Sequence, residues 1–191
     1  LLLAAAYLTD RGIAPSLLVG HSLGGAAVIK AAPQVPGLRA VVPIGAPFAP
    51  AHVSNNFGSK LDDIQEHGAA TVSLAGRDFT IRKSFIDDIS TASLRDALRH
   101  LNAALLVLHA PRDATVGIDN ASEIFIAAKH PKSFVSLDTA DHLITAEEDA
   151  KYAADVIATW ASRYLDMPKP KAAPQVPQGV TRVSERDPDG L

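Results

Sequence analysis

The serine of Gly20-His21-Ser22-Leu23-Gly24 is the residue around which chemistry can be built. Glycines two places before and two places after a serine leave room for a strand to turn abruptly into a helix, and such a turn holds the hydroxyl out beyond the sheet. A helix starting at Leu23 would offer backbone N–H groups, that of Leu23 foremost, to a developing oxyanion. A serine hydroxyl is a weak nucleophile at its ordinary pKa, so it needs a base and a carboxylate that orients the base. After a strand-serine-helix turn these partners follow in the order acid, then histidine. Asp113, in His109-Ala110-Pro111-Arg112-Asp113, comes directly after an apolar run and is the best acid; Asp119, before the next helical pattern, is its nearest rival. His142, in Ala140-Asp141-His142, lies between another apolar run and a long helical pattern and is the best base. His21, beside the serine, and the aromatics Phe48 and Phe79 are candidates for contact with a substrate, with core packing as the plainer role for the aromatics.

These residues need elements to hold them. Residues 1–11 read as the end of a helix closed by Gly12, and residues 16–19 as a short apolar strand between Pro15 and Gly20. An alanine-rich helix over 23–32 stops before Pro33, and a second apolar strand over 38–44 ends at Gly45-Ala46-Pro47. A third strand is expected over 103–110, a helix over 120–129 with Asn120 as its cap, a fourth strand over 133–137 and a long helix over 146–165. Strand and helix alternate, which implies an α/β protein with a parallel sheet of about four strands and helices on both faces.

Residues 47–101 break that rhythm. A helix over 52–68, a hairpin of residues 71–74 and 78–81 around Ala75-Gly76-Arg77, and short helices to Leu101 read as a small lid. From residue 166 the chain turns to Met167-Pro168-Lys169-Pro170-Lys171 and a polar end without periodicity, a linker and tail after a domain of residues 1–165. The sequence starts with Leu1 in what reads as mid-helix, as a fragment or processed product would.

Composition excludes other chemistry. The chain has 191 residues, 47% of them hydrophobic, a net charge of -3 and no cysteine. A near-neutral chain without a basic stripe has little with which to follow a nucleic acid. Without cysteine there is no disulfide, thiolate nucleophile or thiolate-ligated metal, and the seven histidines form no H-x-x-x-H pair, so neither metal nor cofactor is expected. The apolar opening is too short to span a membrane, and the cytoplasm is the default compartment.

The chain resembles an α/β hydrolase, and more closely the hydrolase portion of bacterial proteins in which that domain precedes an OsmC-like domain. The resemblance covers about residues 1–165. It is carried by residues 19–27 around the serine, Ile44-Gly45-Ala46-Pro47-Phe48, Leu74-Ala75-Gly76-Arg77-Asp78-Phe79, residues 109–113 with Val116-Gly117-Ile118-Asp119-Asn120-Ala121, and Ala140-Asp141-His142. It implies a Ser22-Asp113-His142 triad and a tail that opens an OsmC-like part from about Val180. The family has about four strands ahead of the serine's strand, with a second oxyanion donor in a loop among them, and neither lies in this sequence. A serine carboxylesterase acting on small esters is therefore expected, weak for want of that donor. The alternative is a non-catalytic module that self-associates through an exposed sheet edge. A homo-oligomer is expected in either case.

Overall fold

The computed structural model describes residues 1–51, 57–74, 77–91 and 93–165. The expectations for residues 52–56, for the Ala75-Gly76 turn and for the tail from residue 166 fall outside them. In chain order the elements are α1 (Leu2–Asp10), β1 (Leu17–His21), α2 (Leu23–Ala31), β2 (Ala40–Ile44), α3 (Lys60–His67), β3 (Ala69–Leu74), β4 (Arg77–Arg82), α4 (Lys83–Thr91), α5 (Leu94–Arg99), β5 (Ala104–His109), α6 (Asp119–Ala127), β6 (Lys132–Ser136) and α7 (Glu147–Leu165).

Four of the strands form a parallel sheet in the order β1-β2-β5-β6. Its centre is apolar on both faces, as a sheet covered by helices requires: every residue of β2 and β5 is buried. Successive side chains alternate between two cores. Val41, Leu105 and Val107 pack with Ala26 and Ile29 of α2, Leu94 and Leu98 of α5, and Ile124 of α6. Val42, Ile44, Leu106 and Leu108 point the other way, against Ala153, Val156, Ile157 and Trp160 of α7. At about 25 cal/mol for each Å² of apolar surface buried, these two layers are the main source of stability.

α7 starts with Glu147, Glu148 and Asp149, acidic side chains where the helix end is positive. Helix α6 starts at Asp119, one residue before the expected cap. The Asn120 side chain serves tertiary contacts instead: it accepts the N–H of Phe48 at 3.0 Å and donates to the Gly117 carbonyl at 2.9 Å.

The segment expected to be a lid divides in two. β3 and β4 pair antiparallel from Ala69↔Arg82 to Leu74↔Arg77. With α3 and α4 they enclose a separate small core of Phe57, Ile64, Val72, Ile86 and Ile89. Helix α5, by contrast, contributes Leu94 and Leu98 to the main core, so it belongs to the layer over the sheet and not to the insertion.

Both outer strands are edges. Among the described residues β1 is paired with β2 alone, and Val19 at its middle is 46% exposed. α1, apolar along most of its length, buries only Ala5. No helix among the described residues is long and apolar enough to cross a membrane.

Candidate active site

The connection from β1 to α2 is compressed until side chains no longer fit. A Cβ on Gly20 would stand 2.2 Å from the Gly24 carbonyl oxygen, and one on Gly25 would stand 2.6 Å from the Ala46 Cβ. A Cβ on Gly24 would meet nothing within 4 Å. Steric necessity therefore falls on the second residue before the serine and the third after it, where the motif alone had suggested the second after. Ser22 itself sits at φ 52°, ψ −126°, a conformation that side-chain-bearing residues rarely adopt. Its N–H donates to the Ile44 carbonyl at 2.8 Å, which ties the turn to the end of β2. Leu23 is the first residue of α2, so its N–H has no acceptor within the helix and points with the positive end of the dipole toward the serine.

His142 comes from the loop between β6 and α7, which two non-glycine residues at positive φ, Asp138 at 40° and Ile144 at 54°, bend into shape. Its Nε2 lies 3.0 Å from Ser22 Oγ and its Nδ1 2.7 Å from Asp113 Oδ2. An ionised carboxylate only accepts hydrogen bonds, so Nδ1 carries the proton and Nε2 is left to accept the serine hydroxyl. The His142 backbone is held as well: His21 Nε2 donates to the His142 carbonyl at 2.6 Å.

Asp113 follows β5 and is buried. Its Oδ1 accepts the N–H groups of Thr115 and Val116, each at 2.8 Å. Burial pushes its carboxyl up, but the bonds from Val116, His142 and Thr115 outweigh that and hold it below the ordinary carboxylate value. Gly45, at φ 54°, passes so close that a Cβ there would stand 3.4 Å from Asp113 Oδ2 and 3.6 Å from the His142 ring.

The rival acids are elsewhere. Asp119 is exposed at the start of α6. Asp141 spends both carboxylate oxygens on Thr145, at 2.9 Å to its N–H and 2.6 Å to its hydroxyl, and those bonds lower its pKa.

The residues expected to touch substrate separate. His21 Nε2 is occupied by the His142 carbonyl. Phe48 packs against the main core, with the Arg95 guanidinium 5.1 Å from its ring centre. Phe79 lies on β4 and is 45% exposed. A cavity of about 480 Å³ runs beside α2 and the turn after it, from Leu23 to Gln34, walled also by Leu2, Phe85, Ile89 and Leu94. Neither Phe48 nor Phe79 is among its described lining residues. His67, His100 and His130 are exposed, and His52 lies outside the described residues. His109, whose place in a strand pattern reads as a core or near-site residue, is fully buried, and its Nε2 is 3.7 Å from Asp113 Oδ2.

A hydroxyl bonded to an imidazole, itself bonded to a buried carboxylate, can pass a proton from the hydroxyl while the carboxylate steadies the charge left on the ring. Proteins of known structure share the framework. The esterase domain of a Rhodothermus marinus protein is 46% identical, with a TM-score of 0.74 over 84% of this chain and 66% of its own. Est1E of Butyrivibrio proteoclasticus, in a structure with ferulic acid bound, is 16% identical with a TM-score of 0.68 over 87% of this chain and 68% of its own. Mouse α/β hydrolase domain-containing protein 10 is 21% identical with a TM-score of 0.63 over 85% and 68%. The last two likenesses show the fold alone. No protein-family model and no curated protein sequence matches the chain.

A parallel sheet whose strand ends in a tight serine turn, with helices on both faces, defines the α/β-hydrolase class of fold. The chain belongs to the α/β-hydrolase family and spans 66% of the length of the Rhodothermus esterase-domain structure.

Proposed function

We propose that this protein is a serine carboxylesterase that hydrolyses short-chain esters through Ser22, His142 and Asp113. The observation that carries the reading is the continuous pair of hydrogen bonds from Ser22 Oγ through His142 to Asp113, 3.0 Å and 2.7 Å long. The Rhodothermus likeness, to a domain described as an esterase, supports it.

Ser22 Oγ attacks the ester carbonyl carbon while its proton passes to His142 Nε2. The oxyanion of the tetrahedral intermediate takes the Leu23 N–H. Collapse expels the alcohol, which leaves with the proton from His142, and the acyl group stays on Ser22. Water, deprotonated by His142, attacks the acyl carbon and releases the acid. Asp113 keeps the Nδ1–H tautomer in place throughout and stabilises the imidazolium. Turnover of p-nitrophenyl acetate or butyrate and labelling by a fluorophosphonate test the reading. Ser22→Ala removes both; retention of either in that variant overturns it.

A second reading, self-association, concerns assembly and is compatible with the first. Among the described residues the outer edge of β1 has no strand partner, and it lies beside exposed Leu1, Leu3, Ile13 and Val19. A two-fold homodimer that covers β1 and α1 is the simplest closed arrangement. Sedimentation at micromolar concentration checks it: a stable monomer of 20.1 kDa overturns it.

A further inference from the structure

His109 ends β5, is fully buried, and uses only one of its two ring nitrogens. Nε2 donates to the Val116 carbonyl at 2.7 Å, seven residues along the chain. Nδ1 is buried and finds no partner among the described residues. An unpaired buried nitrogen is unfavourable, and an apolar side chain of similar size would avoid it. The ring is explained by its other end. The peptide group it grips belongs to Val116, whose N–H is one of the two that hold Asp113 Oδ1. The other, from Thr115, lies next to it in the chain. The chain from 110 to 116 is thus a closed loop: stapled at its far end by His109, drawn together at its near end by the Asp113 N–H on the Ala110 carbonyl at 3.1 Å, and carrying Asp113 between.

Resting on the reading of Asp113 as the acid that orients His142, we propose that His109 is a positioning residue for esterase turnover, fixing the 110–116 loop so that Asp113 Oδ2 meets His142 Nδ1. It touches no reacting atom. Without the staple the Val116 peptide is free to rotate, the two N–H donors no longer converge on Oδ1, and Oδ2 loses its fixed place. A displacement of about an ångström at a catalytic group costs up to roughly 100-fold in rate.

Replacement of the ring by amides separates this role from plain packing. The glutamine amide nitrogen reaches the place of Nε2 and can still donate to Val116; the asparagine amide reaches only the place of Nδ1 and cannot. His109→Gln should keep kcat for p-nitrophenyl butyrate within about threefold of wild type, whereas His109→Asn and His109→Leu should lose about 10- to 100-fold with KM little changed. A second readout needs no turnover. The far-downfield proton resonance of an imidazole Nδ1–H bonded to a carboxylate, recorded under mildly acidic conditions, should persist in His109→Gln and in Ser22→Ala, and should be lost in His109→Asn. Equal kcat in the glutamine and asparagine variants, or a downfield resonance unchanged in His109→Asn, overturns the proposal. If His109→Leu does not fold, the glutamine and asparagine pair decides. Failure of the esterase reading is separate: it would show as activity surviving in Ser22→Ala, while the resonance still reports on His109.

Discussion

His21 and His142 lie with ring centres 5.1 Å apart, and the first holds the backbone of the second: His21 Nε2 donates to the His142 carbonyl at 2.6 Å. The residue before Ser22 in the tight turn therefore braces the loop that carries His142. His21→Ala should lower kcat by about tenfold with little change in KM, because the loop loses its tether while substrate contacts stay. Steady-state kinetics on p-nitrophenyl butyrate measure it, and an unchanged kcat would show that the loop is held without His21.

The backbone at Ser22 predicts a stability difference between two variants. A side-chain-bearing residue at φ 52°, ψ −126° costs about 1–3 kcal/mol. Glycine escapes that strain but loses roughly 0.5–1 kcal/mol of chain entropy. Ser22→Gly should therefore melt about 2–4 °C above Ser22→Ala, as a net gain of about 1 kcal/mol gives in a chain of this size. Scanning calorimetry on the two proteins decides; equal melting temperatures would mean that the turn carries no strain.

The acids should separate by function. Asp113→Asn presents an amide where Oδ2 now accepts the His142 Nδ1–H, and should cost on the order of 10⁴-fold in kcat, the scale of a wrong tautomer. Asp119→Asn, exposed at a helix start, should stay within about twofold of wild type, as surface changes away from a site do. Asp141→Asn weakens only the contact with Thr145 and should fall between the two. A dominant loss at Asp119 would move the acid there.

Acid stability follows from the lowered pKa of Asp113. A carboxyl with a folded value below its unfolded one binds fewer protons when folded, so it stabilises the fold above the ordinary value of 3.8. That contribution fades as pH falls through the lowered folded value. Urea midpoints between about pH 6 and about pH 3 should therefore drop more steeply for wild type than for Asp113→Asn, whose amide does not titrate. Parallel curves would show that Asp113 gains nothing from its bonds to Val116, Thr115 and His142.

Much of the fold was legible from periodicity and punctuation. The expected strands became β1, β2, β5 and β6, each within a residue or two of the expected bounds; the signal is plainest for β2 and β5, because a strand buried on both faces must be apolar throughout. The hairpin was legible from the short turn between its two strands. α5 was misplaced into the insertion because a six-residue helix shows too few turns to reveal which core it faces. The same limit applied to the glycines: spacing singled out Gly20 and Gly24, but which Cβ would strike a neighbour depends on the path of β2, where Ala46 crowds Gly25.

The sequence by itself determined the candidate residue types and their order along the chain, since a tight serine turn, an acid after a strand and a later histidine are local features. Only the tertiary structure shows which of them meet. Ser22 and His142 are 120 residues apart and meet because parallel strands carry their carboxyl ends to one edge of the sheet. Asp113 is the carboxylate that meets His142 because its loop brings Oδ2 to Nδ1, while Asp141 is bonded to Thr145 and Asp119 is exposed at the start of α6. His109, a histidine inside an apolar strand, reads in sequence only as core or near-site; its link to Val116 exists only once the loop after β5 is closed.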